Sequence, residues 1–196
     1  MSQSRFSARD IAQVAVFAAL IAALGLPGSI TVGISGVPIT VQSLGIILAG
    51  AILGPRKGTA AVLVLLALVA MGLPLLSGGR GGLGVFAGTT VGYLVGWVFG
   101  ALVIGLLTAR ILPKYPLWAG LVVNVIGGIV VIYFFGVLGV VLRTDLGVAA
   151  ATTSIFAYIP GDLVKVVIAA VVAKGVHRAY PGLIRSAPSS LRPADV

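Results

Sequence analysis

Residues 149–173 read AAATTSIFAYIPGDLVKVVIAAVVA, an apolar stretch in which Pro160-Gly161 precedes two charged residues, Asp162 and Lys165. The stretch is long enough to cross a bilayer, which takes about 20 apolar residues. A charge at bilayer depth costs roughly 2.5–3.5 kcal/mol on insertion scales, so it usually faces a partner, a cavity or a ligand. The sequence thus indicates a membrane protein and makes this pair the first candidate for a functional site.

The rest of the chain has the same character, because 59% of its 196 residues are hydrophobic and only 9% are charged. Several further apolar runs have the length of a membrane helix. We predict an all-α membrane protein, a single domain over residues 1–196 built as a six-transmembrane-helix bundle. The predicted helices cover about residues 10–26, 39–54, 58–76, 91–111, 116–142 and 149–173, and residues 185–196 are expected to form a flexible cytoplasmic tail.

The basic residues predict the orientation of this bundle. Ten of them fall on the side of the N-terminus and two on the other side, with Lys165 inside a helix. By the positive-inside rule both termini are cytoplasmic, so we expect a multi-pass protein of a bacterial-type cytoplasmic (inner) membrane. The basic residues that give the formal charge of +9 then lie beside anionic lipid in the bilayer, and binding to nucleic acid is not needed to explain them. The ten are Arg5, Arg9, Arg56, Lys57, Arg110, Lys114, Lys174, Arg178, Arg185 and Arg192, and the two are Arg80 and Arg143.

The residues needed for catalysis are scarce. The chain has no cysteine, one histidine, and four carboxylate side chains, all of them aspartate. Neither a metal cluster nor an acid–base dyad can be assembled from this set, and no GxxxxGK[ST] motif for nucleotide binding occurs. We therefore expect a protein that is not an enzyme, holds no cofactor or metal, and can use ATP only through partner subunits.

Two loops on the outer side are longer than the cytoplasmic turns. In the loop between the first two helices, residues 31–34 (TVGI) have the pattern of a short strand. Between helices 3 and 4 lies SGGRGGLG, residues 77–84, in which Arg80 is flanked by glycines that include Gly79 and Gly82. This second loop is either a flexible linker or a segment that closes over a ligand.

The first helix carries a stripe of small residues, Ala15, Ala19 and Ala23, spaced four apart. Such a stripe lets a second helix approach closely. It fits either packing within the bundle or docking of another membrane protein.

In the sixth helix, Pro160 suits a first-turn position, where its missing N–H is not needed, and Asp162 then falls in that first turn. Asp162 and Lys165 are three residues apart and share a face. They form either a structural ion pair or a polar site for an anionic ligand with N–H groups. Polar and aromatic residues at the outer halves of the helices favour such a site, although the aromatic ones also suit the membrane interface. These residues are Thr40, Gln42, Tyr93, Trp97, Asn124 and Tyr158.

In combination, several short motifs resemble the BioY family, the biotin-specific substrate-binding component (S component) of energy-coupling factor (ECF) transporters. The resemblance covers most of the chain. It rests on VPITVQ at residues 37–42, LAG at 48–50, LGP at 53–55, GLP at 72–74, GGRGG at 78–82, GYL at 92–94, and PGDL at 160–163 followed by Lys165.

The resemblance implies a six-helix bundle that captures biotin from outside and encloses it with the loops between helices 1 and 2 and helices 3 and 4. It also implies that Ala15, Ala19 and Ala23 contact the transmembrane coupling subunit, which carries two cytosolic ATPases. Biotin needs a cation for its carboxylate, donors and acceptors for its ureido group, and an apolar wall for its thioether ring. The candidates for the cation are Lys165 and Arg80. Asp162 with Asn124 or Gln42 is available for the ureido group, and Tyr93 or Trp97 for the apolar wall.

Two alternatives remain open at this stage. An S component for another vitamin, such as riboflavin or thiamine, would share the architecture, but a neutral or cationic ligand would leave Lys165 harder to explain. A membrane scaffold that transports nothing would use the charged pair only to fix helix register.

Overall fold

The computed structural model describes residues 6–28, 30–31 and 37–184. These residues form eight α-helices and one antiparallel pair of two-residue strands. The helices are α1 (Ala8–Ala23), α2 (Gln42–Leu48), α3 (Gly54–Ala70), α4 (Val91–Ile111), α5 (Leu117–Val125), α6 (Ile132–Arg143), α7 (Val148–Ser154) and α8 (Ile159–Ala179), and the strands are β1 (Ile30–Thr31) and β2 (Pro38–Ile39). Residues 32–34 of the predicted strand and the tail predicted at 185–196 lie outside the described residues.

Helical turns of other kinds extend these elements. A π-helical segment, Ala49–Leu53, continues α2, and a second one, Ile126–Val131, joins α5 to α6. Short 3₁₀ turns at Leu83–Phe86 and Ile155–Ala157 precede α4 and α8.

Three helical stretches of the described chain are long and apolar enough to cross a membrane, namely Gln42–Ala70, Val91–Ile111 and Leu117–Arg143. A fourth is added when α7 and α8, which meet at an angle of 56°, are counted together. The first stretch is not one straight rod, because Gly54 has a φ of +82°. A methyl group on Gly58 would lie 2.5 Å from the carbonyl oxygen of Ala49, whereas in a straight helix these residues would be about 13 Å apart along the axis. The chain therefore reverses at Gly54, and α3 packs back against the end of α2.

The helix ends differ from the sequence prediction where local chemistry intervenes. α1 begins two residues early because the Ser7 hydroxyl accepts a hydrogen bond from the Asp10 N–H while the Asp10 carboxylate accepts one from the Ser7 N–H. The prediction that helix 2 begins at 39 is wrong, because Pro38–Ile39 pairs with Ile30–Thr31 as a strand. Helix 3 begins at Gly54 rather than 58, since Pro55 takes a first-turn position. It ends at Ala70 rather than 76, near the turn at Gly72 (φ +105°).

The stretch quoted at the start of the sequence folds as two helices rather than one. α7 ends at Ser154, and α8 starts at Ile159. Pro160 and Asp162 both lie in the first turn of α8, as the sequence predicts. α8 runs to Ala179, six residues beyond the predicted end. The break points the N-terminus of α8 into the bundle, beside the start of α2.

The helices are arranged so that α4 packs between α3 and α6. The starts of α2, α4 and α8 meet at one end of the bundle, and the starts of α1, α3 and α5 lie at the other. Both ends of the described chain lie at this second end, where Lys57 contacts Asp10 on α1 and the carbonyl oxygen of Leu183. The Asp162–Lys165 pair therefore lies at the end of the bundle where α2, α4 and α8 begin, and the two ends of the described chain lie at the opposite end.

Candidate functional site

A cavity lies at the end of the bundle where α2, α4 and α8 begin, with about 70 Å³ of water-accessible space. The segment before α2, the loop before α4, and the starts of α4, α6 and α8 all contribute to its wall. Its polar lining residues are Thr40, Gln42, Ser43, Arg80, Thr90, Tyr93, Trp97, Tyr133, Tyr158, Asp162 and Lys165, and its other lining residues are Val37, Pro38, Ile39, Leu76, Leu94, Gly128 and Ile132.

Lys165 and Asp162 form a buried ion pair in this wall, with 2.6 Å between Lys165 Nζ and Asp162 Oδ1. The ammonium group also donates to the carbonyl oxygen of Thr40 at 2.5 Å and to Ser43 Oγ at 2.9 Å. A lysine ammonium has three N–H donors, and these three contacts use all of them. Lys165 is therefore held in place by the start of α2.

Asp162 is held from the opposite side by Tyr133, whose hydroxyl donates to Asp162 Oδ2 at 2.6 Å. The Tyr133 ring lies between those of Tyr93 and Tyr158, with edge-to-face contacts at 6.5 Å in each case. The Tyr158 hydroxyl donates to the carbonyl oxygen of Val37 at 3.2 Å. The Tyr93 hydroxyl is buried and has no hydrogen-bond partner in the described chain. The carboxylate thus has spare lone pairs and a neighbouring hydroxyl that can donate to a ligand.

Arg80 enters the cavity from a tight hairpin in which Leu76 and Arg80 exchange two backbone hydrogen bonds, at 3.0 and 3.2 Å. Gly78 and Gly79 at its tip have φ values of +78° and +69°, which favour glycine. The guanidinium donates through Nε to the Ser77 carbonyl oxygen at 3.2 Å and through one terminal nitrogen to Thr90 Oγ1 at 3.5 Å. Partial burial lowers the pKa of Arg80, and an anion beside it would offset that desolvation.

Gln42 is part of the cavity wall, but its amide group forms hydrogen bonds with the surrounding backbone. Its nitrogen donates to the carbonyl oxygens of Ile21 and Leu75 at 3.2 and 2.8 Å, and its oxygen accepts from the Ser77 N–H at 2.9 Å. Gln42 therefore joins the end of α1 to the hairpin that carries Arg80. This network leaves the amide without an obvious hydrogen bond for a ligand.

Eight of the eleven predicted site residues meet at this cavity: Thr40, Gln42, Arg80, Tyr93, Trp97, Tyr158, Asp162 and Lys165. The other three, Gly79, Gly82 and Asn124, do not line it. Asn124 is fully buried, its amide nitrogen donates to the Val166 carbonyl oxygen at 3.4 Å, and its side-chain oxygen has no partner in the described chain. Gly79 and Gly82 instead shape the loop, each with a positive φ.

Ser43, Thr90 and Tyr133 also line the cavity but were not among the residues predicted from the sequence. Ser43 lies next to Gln42 in sequence, and Tyr133 is the only hydroxyl-bearing residue in the apolar run 125–143 of α5 and α6. That isolated hydroxyl within a membrane helix was the available signal for Tyr133.

The alanine stripe lies outside the cavity. Ala15, Ala19 and Ala23 are all exposed, while the opposite side of α1 packs into the bundle through Val14, Ala18 and Ile21. The stripe is therefore not used for packing among the described residues.

Comparison with known proteins agrees with this arrangement. The model of the BioY family matches residues 1–182. The chain is 49% identical over 182 residues to the biotin transporter BioY of Rhizobium etli, covering 89% of this chain and 96% of the relative. It is 44% identical over 185 residues to the biotin transporter BioY of Rhodobacter capsulatus, covering 90% and 97% of the two chains.

A solved structure is similar over nearly the full length of the fold. It is a crystal structure at 2.1 Å of the S-component for biotin from an ECF-type ABC transporter, with a TM-score of 0.85 and 29% sequence identity. The match covers 93% of this chain and 97% of that chain. On the family match, the close relatives and this shared fold, the chain is a multi-pass membrane protein that belongs to the BioY family.

Proposed function

We propose that this protein is the biotin-binding substrate-capture subunit, or S component, of an ECF-type vitamin transporter. The observation that carries the proposal is the cavity in which a buried Lys165–Asp162 pair meets Arg80 and a cluster of aromatic rings. The relatives and the solved structure named for biotin support the choice of ligand.

The hydrogen bonds of the cavity favour one orientation of the ligand. All three N–H donors of Lys165 are already used, so the ligand carboxylate is better matched by Arg80, whose guanidinium keeps further donors. The ureido group then lies at the inner end. There the Asp162 carboxylate accepts from the ureido N–H groups, and the hydroxyl of Tyr93, which has no partner among the described residues, donates to the ureido oxygen. Trp97 and the tyrosine rings supply the apolar wall for the thioether ring.

The size of the cavity supports a loop that moves on binding. Its 70 Å³ of water-accessible space corresponds to about five to seven water molecules at roughly 10–15 Å³ each, which is less than the bicyclic ring and side chain of biotin require. The Arg80 hairpin contains glycine at positions 78, 79, 81 and 82, and glycine backbone angles change most readily. We expect this hairpin to open for biotin and to close over its carboxylate.

The proposal includes six membrane passes with both termini in the cytoplasm. The reversal at Gly54 divides Gln42–Ala70 into two passes. One pass each comes from α1, α4, the stretch α5–α6 and the bent pair α7–α8. The second pass has only about 18 Å of helix, at 1.5 Å per residue. The non-helical segment before it lines the cavity, which is where irregular backbone is tolerated at membrane depth.

The partners follow from the exposed stripe of α1. We infer that Ala15, Ala19 and Ala23 dock the transmembrane coupling subunit of the transporter, which carries two cytosolic ATPases. The stripe is exposed, lacks side-chain relief and runs along the outside of the bundle, away from the cavity. ATP then acts only through these partners, and the protein binds no cofactor of its own.

Equilibrium binding of biotin to the purified protein tests the ligand, with riboflavin and thiamine as controls. We expect selective biotin binding that is lost in Lys165→Met, because that change leaves Asp162 buried without its cation. Retained folding of the variant is checked by its thermal midpoint. Absence of biotin binding to the folded wild-type protein would rule out the proposal.

A cycle of ligand and protein changes tests the orientation. If Arg80 pairs with the carboxylate, Arg80→Gln weakens the binding of biotin by roughly tenfold to a hundredfold, as for a charged hydrogen bond of about 1.5–3 kcal/mol. The same substitution leaves the binding of biotin amide, which has no carboxylate, nearly unchanged. Arg143→Gln is the matched control, because Arg143 is exposed and does not line the cavity. Equal losses for biotin and its amide would exclude an Arg80–carboxylate contact.

A further inference from the structure

Gln42 is a buried residue at the start of α2 whose amide group is fully occupied by backbone. Its nitrogen donates to the carbonyl oxygens of Ile21 and Leu75, and its oxygen accepts from the N–H of Ser77 at 2.9 Å. An amide nitrogen has two donors, and both are used here. The side chain therefore joins two other segments of the chain, the end of α1 and the hairpin that carries Arg80.

Ser77 extends this network in two directions. It is buried, and its hydroxyl donates to the carbonyl oxygen of Gly28, just after α1, at 2.5 Å. Its own carbonyl oxygen accepts from Arg80 Nε at 3.2 Å. Gln42 and Ser77, which we call the latch, thus tie the Arg80 hairpin to α2 and to the end of α1.

The glycine at position 25 leaves room for the Gln42 amide. A methyl group on Gly25 would lie 2.6 Å from Gln42 Nε2 and 2.7 Å from Gln42 Cδ. The φ angle of Gly25 lies outside the left-handed region, so the backbone conformation alone does not call for glycine here. Gly25 does not line the cavity. A side chain at this position would therefore displace the amide from its partners without entering the ligand site.

The latch opposes opening of the Arg80 hairpin. Moving the hairpin outward breaks the bonds from Gln42 to Leu75 and Ser77, and a buried polar group that loses its partner is costly. The cavity is too small for biotin while the hairpin lies in this position, so the ligand enters and leaves only when the hairpin opens. A contact that makes the open state equally rare with and without ligand slows both steps by the same factor. Such a contact sets the rates of binding and leaves the affinity nearly unchanged.

We propose that Gln42 is a positioning residue that holds the Arg80 hairpin closed through Leu75 and Ser77, and so sets the rates at which biotin enters and leaves the cavity. Gln42 acts on the ligand through the hairpin and makes no hydrogen bond to it. The proposal rests on the proposed function for the identity of the ligand. The hold of Gln42 on the hairpin does not depend on which vitamin binds.

Association and dissociation rates of biotin, measured on the full-length protein in detergent, test this role. We expect Gly25→Ala to raise both rates by roughly tenfold, as for two weakened hydrogen bonds, and to leave the Kd within about threefold. Gly147→Ala is the matched control, because a methyl group on Gly147 meets nothing within 4 Å. The control should change neither rate by more than about twofold. The thermal midpoint and the Kd report that both variants are folded.

A double-mutant cycle shows whether Gly25 acts through the amide. Gln42→Ala should raise the association rate by roughly tenfold, since it removes the amide altogether. Adding Gly25→Ala to this variant should raise the rate by less than about twofold, because the new methyl group then has no amide to displace. Fully additive effects would contradict the proposed route from Gly25 through Gln42 to the hairpin.

Hydrogen exchange in the ligand-free protein measures the hairpin without biotin. Peptides that cover residues 75–82 should exchange roughly tenfold faster in Gln42→Ala than in the wild-type protein, while peptides from α4 keep their rates. An unchanged association rate or unchanged exchange of these peptides would overturn the proposal. A rise in the dissociation rate alone would instead make Gln42 a ligand contact. If the wild-type protein bound no biotin, the proposed function would fail, and the exchange rates would still decide whether Gln42 holds the hairpin.

Discussion

At the scale of single residues, the site depends on a chain of buried hydrogen bonds that ends on Tyr133. Lys165 is fixed by Thr40, Ser43 and Asp162, and Asp162 is fixed by Lys165 on one oxygen and by Tyr133 on the other. Hydrogen bonds to charged groups are the stronger ones in proteins, at about 1.5–3 kcal/mol. Tyr133 is therefore the residue that sets which way the carboxylate faces the cavity.

We predict that Tyr133→Phe weakens biotin binding by roughly tenfold, since part of this hydrogen bond's 1.5–3 kcal/mol is needed to keep Asp162 oriented for the ligand. Titration calorimetry on the purified protein measures the change. Tyr115→Phe is the control, because the Tyr115 hydroxyl is also buried but has no hydrogen-bond partner among the described residues and lies at the other end of the bundle. An identical affinity for the two variants would show that Tyr133 has no part in the site.

The residues of the site could be predicted from the sequence to different degrees. Asp162 and Lys165 are conspicuous because charge is rare in an apolar stretch, and the proline before them fixes the start of α8. Tyr133 and Ser43 were missed because the sequence does not show their tertiary partners, which are Asp162 for Tyr133 and Lys165 for Ser43. Asn124 was predicted to face the ligand, but it turns to Val166 instead. It lies on α5, before the π-helical segment Ile126–Val131, whereas the cavity residues of this run, Gly128, Ile132 and Tyr133, lie within or after that segment.

At the scale of helices, the bundle relies on glycine at the crossing of α4 and α6. A methyl group on Gly139 would lie 2.6 Å from both Cα and N of Gly92, so the two backbones are in contact there. This close approach brings the Tyr93 ring on α4 against the Tyr133 ring on α6. Small residues at a helix crossing thus determine the shape of the ligand cavity.

We predict that Gly139→Val lowers the free energy of unfolding by about 1–3 kcal/mol, the usual effect of overpacking, and weakens biotin binding by separating Tyr93 from Tyr133. Thermal unfolding in detergent and calorimetry measure the two effects. Gly175→Val is the control on α8, because a side chain at Gly175 meets nothing within 4 Å. If Gly139→Val were as well tolerated as this control, the α4–α6 crossing would not be as tight as the structure has it.

The helices themselves were largely predictable, and their ends were not. α4 begins at Val91 and ends at Ile111, as the apolar run predicts. The start of helix 2 was wrong because Pro38–Ile39 forms a strand pair. Both ends of helix 3 were wrong because Pro55 starts the helix early and a turn at Gly72 follows its end. Hydrophobicity reports which residues are in the membrane, but the turn between two passes depends on individual backbone angles.

At the scale of the whole molecule, the ligand cavity and the alanine stripe are separate surfaces. The stripe runs along the exposed side of α1, and the cavity lies between the starts of α2, α4 and α8. They are linked through Gln42, which binds the carbonyl oxygen of Ile21 on α1 and the N–H of Ser77 in the Arg80 hairpin. Because the stripe and the cavity share no residue, a bulky side chain on the stripe is expected to leave the cavity residues in place.

We predict that Ala19→Trp abolishes assembly with the coupling subunit and leaves the affinity for biotin within about twofold. The indole would stand on a surface that the proposed partner helix must approach closely, whereas Ala19 does not line the cavity. Co-purification with the coupling subunit and its ATPases measures assembly, and calorimetry on the isolated protein measures binding. Val171→Trp is the control, since Val171 is 53% exposed on α8 and adds the same bulk elsewhere. Parallel loss of assembly and biotin binding in Ala19→Trp would show that the stripe is part of the ligand site, and normal assembly would show that the partner docks elsewhere.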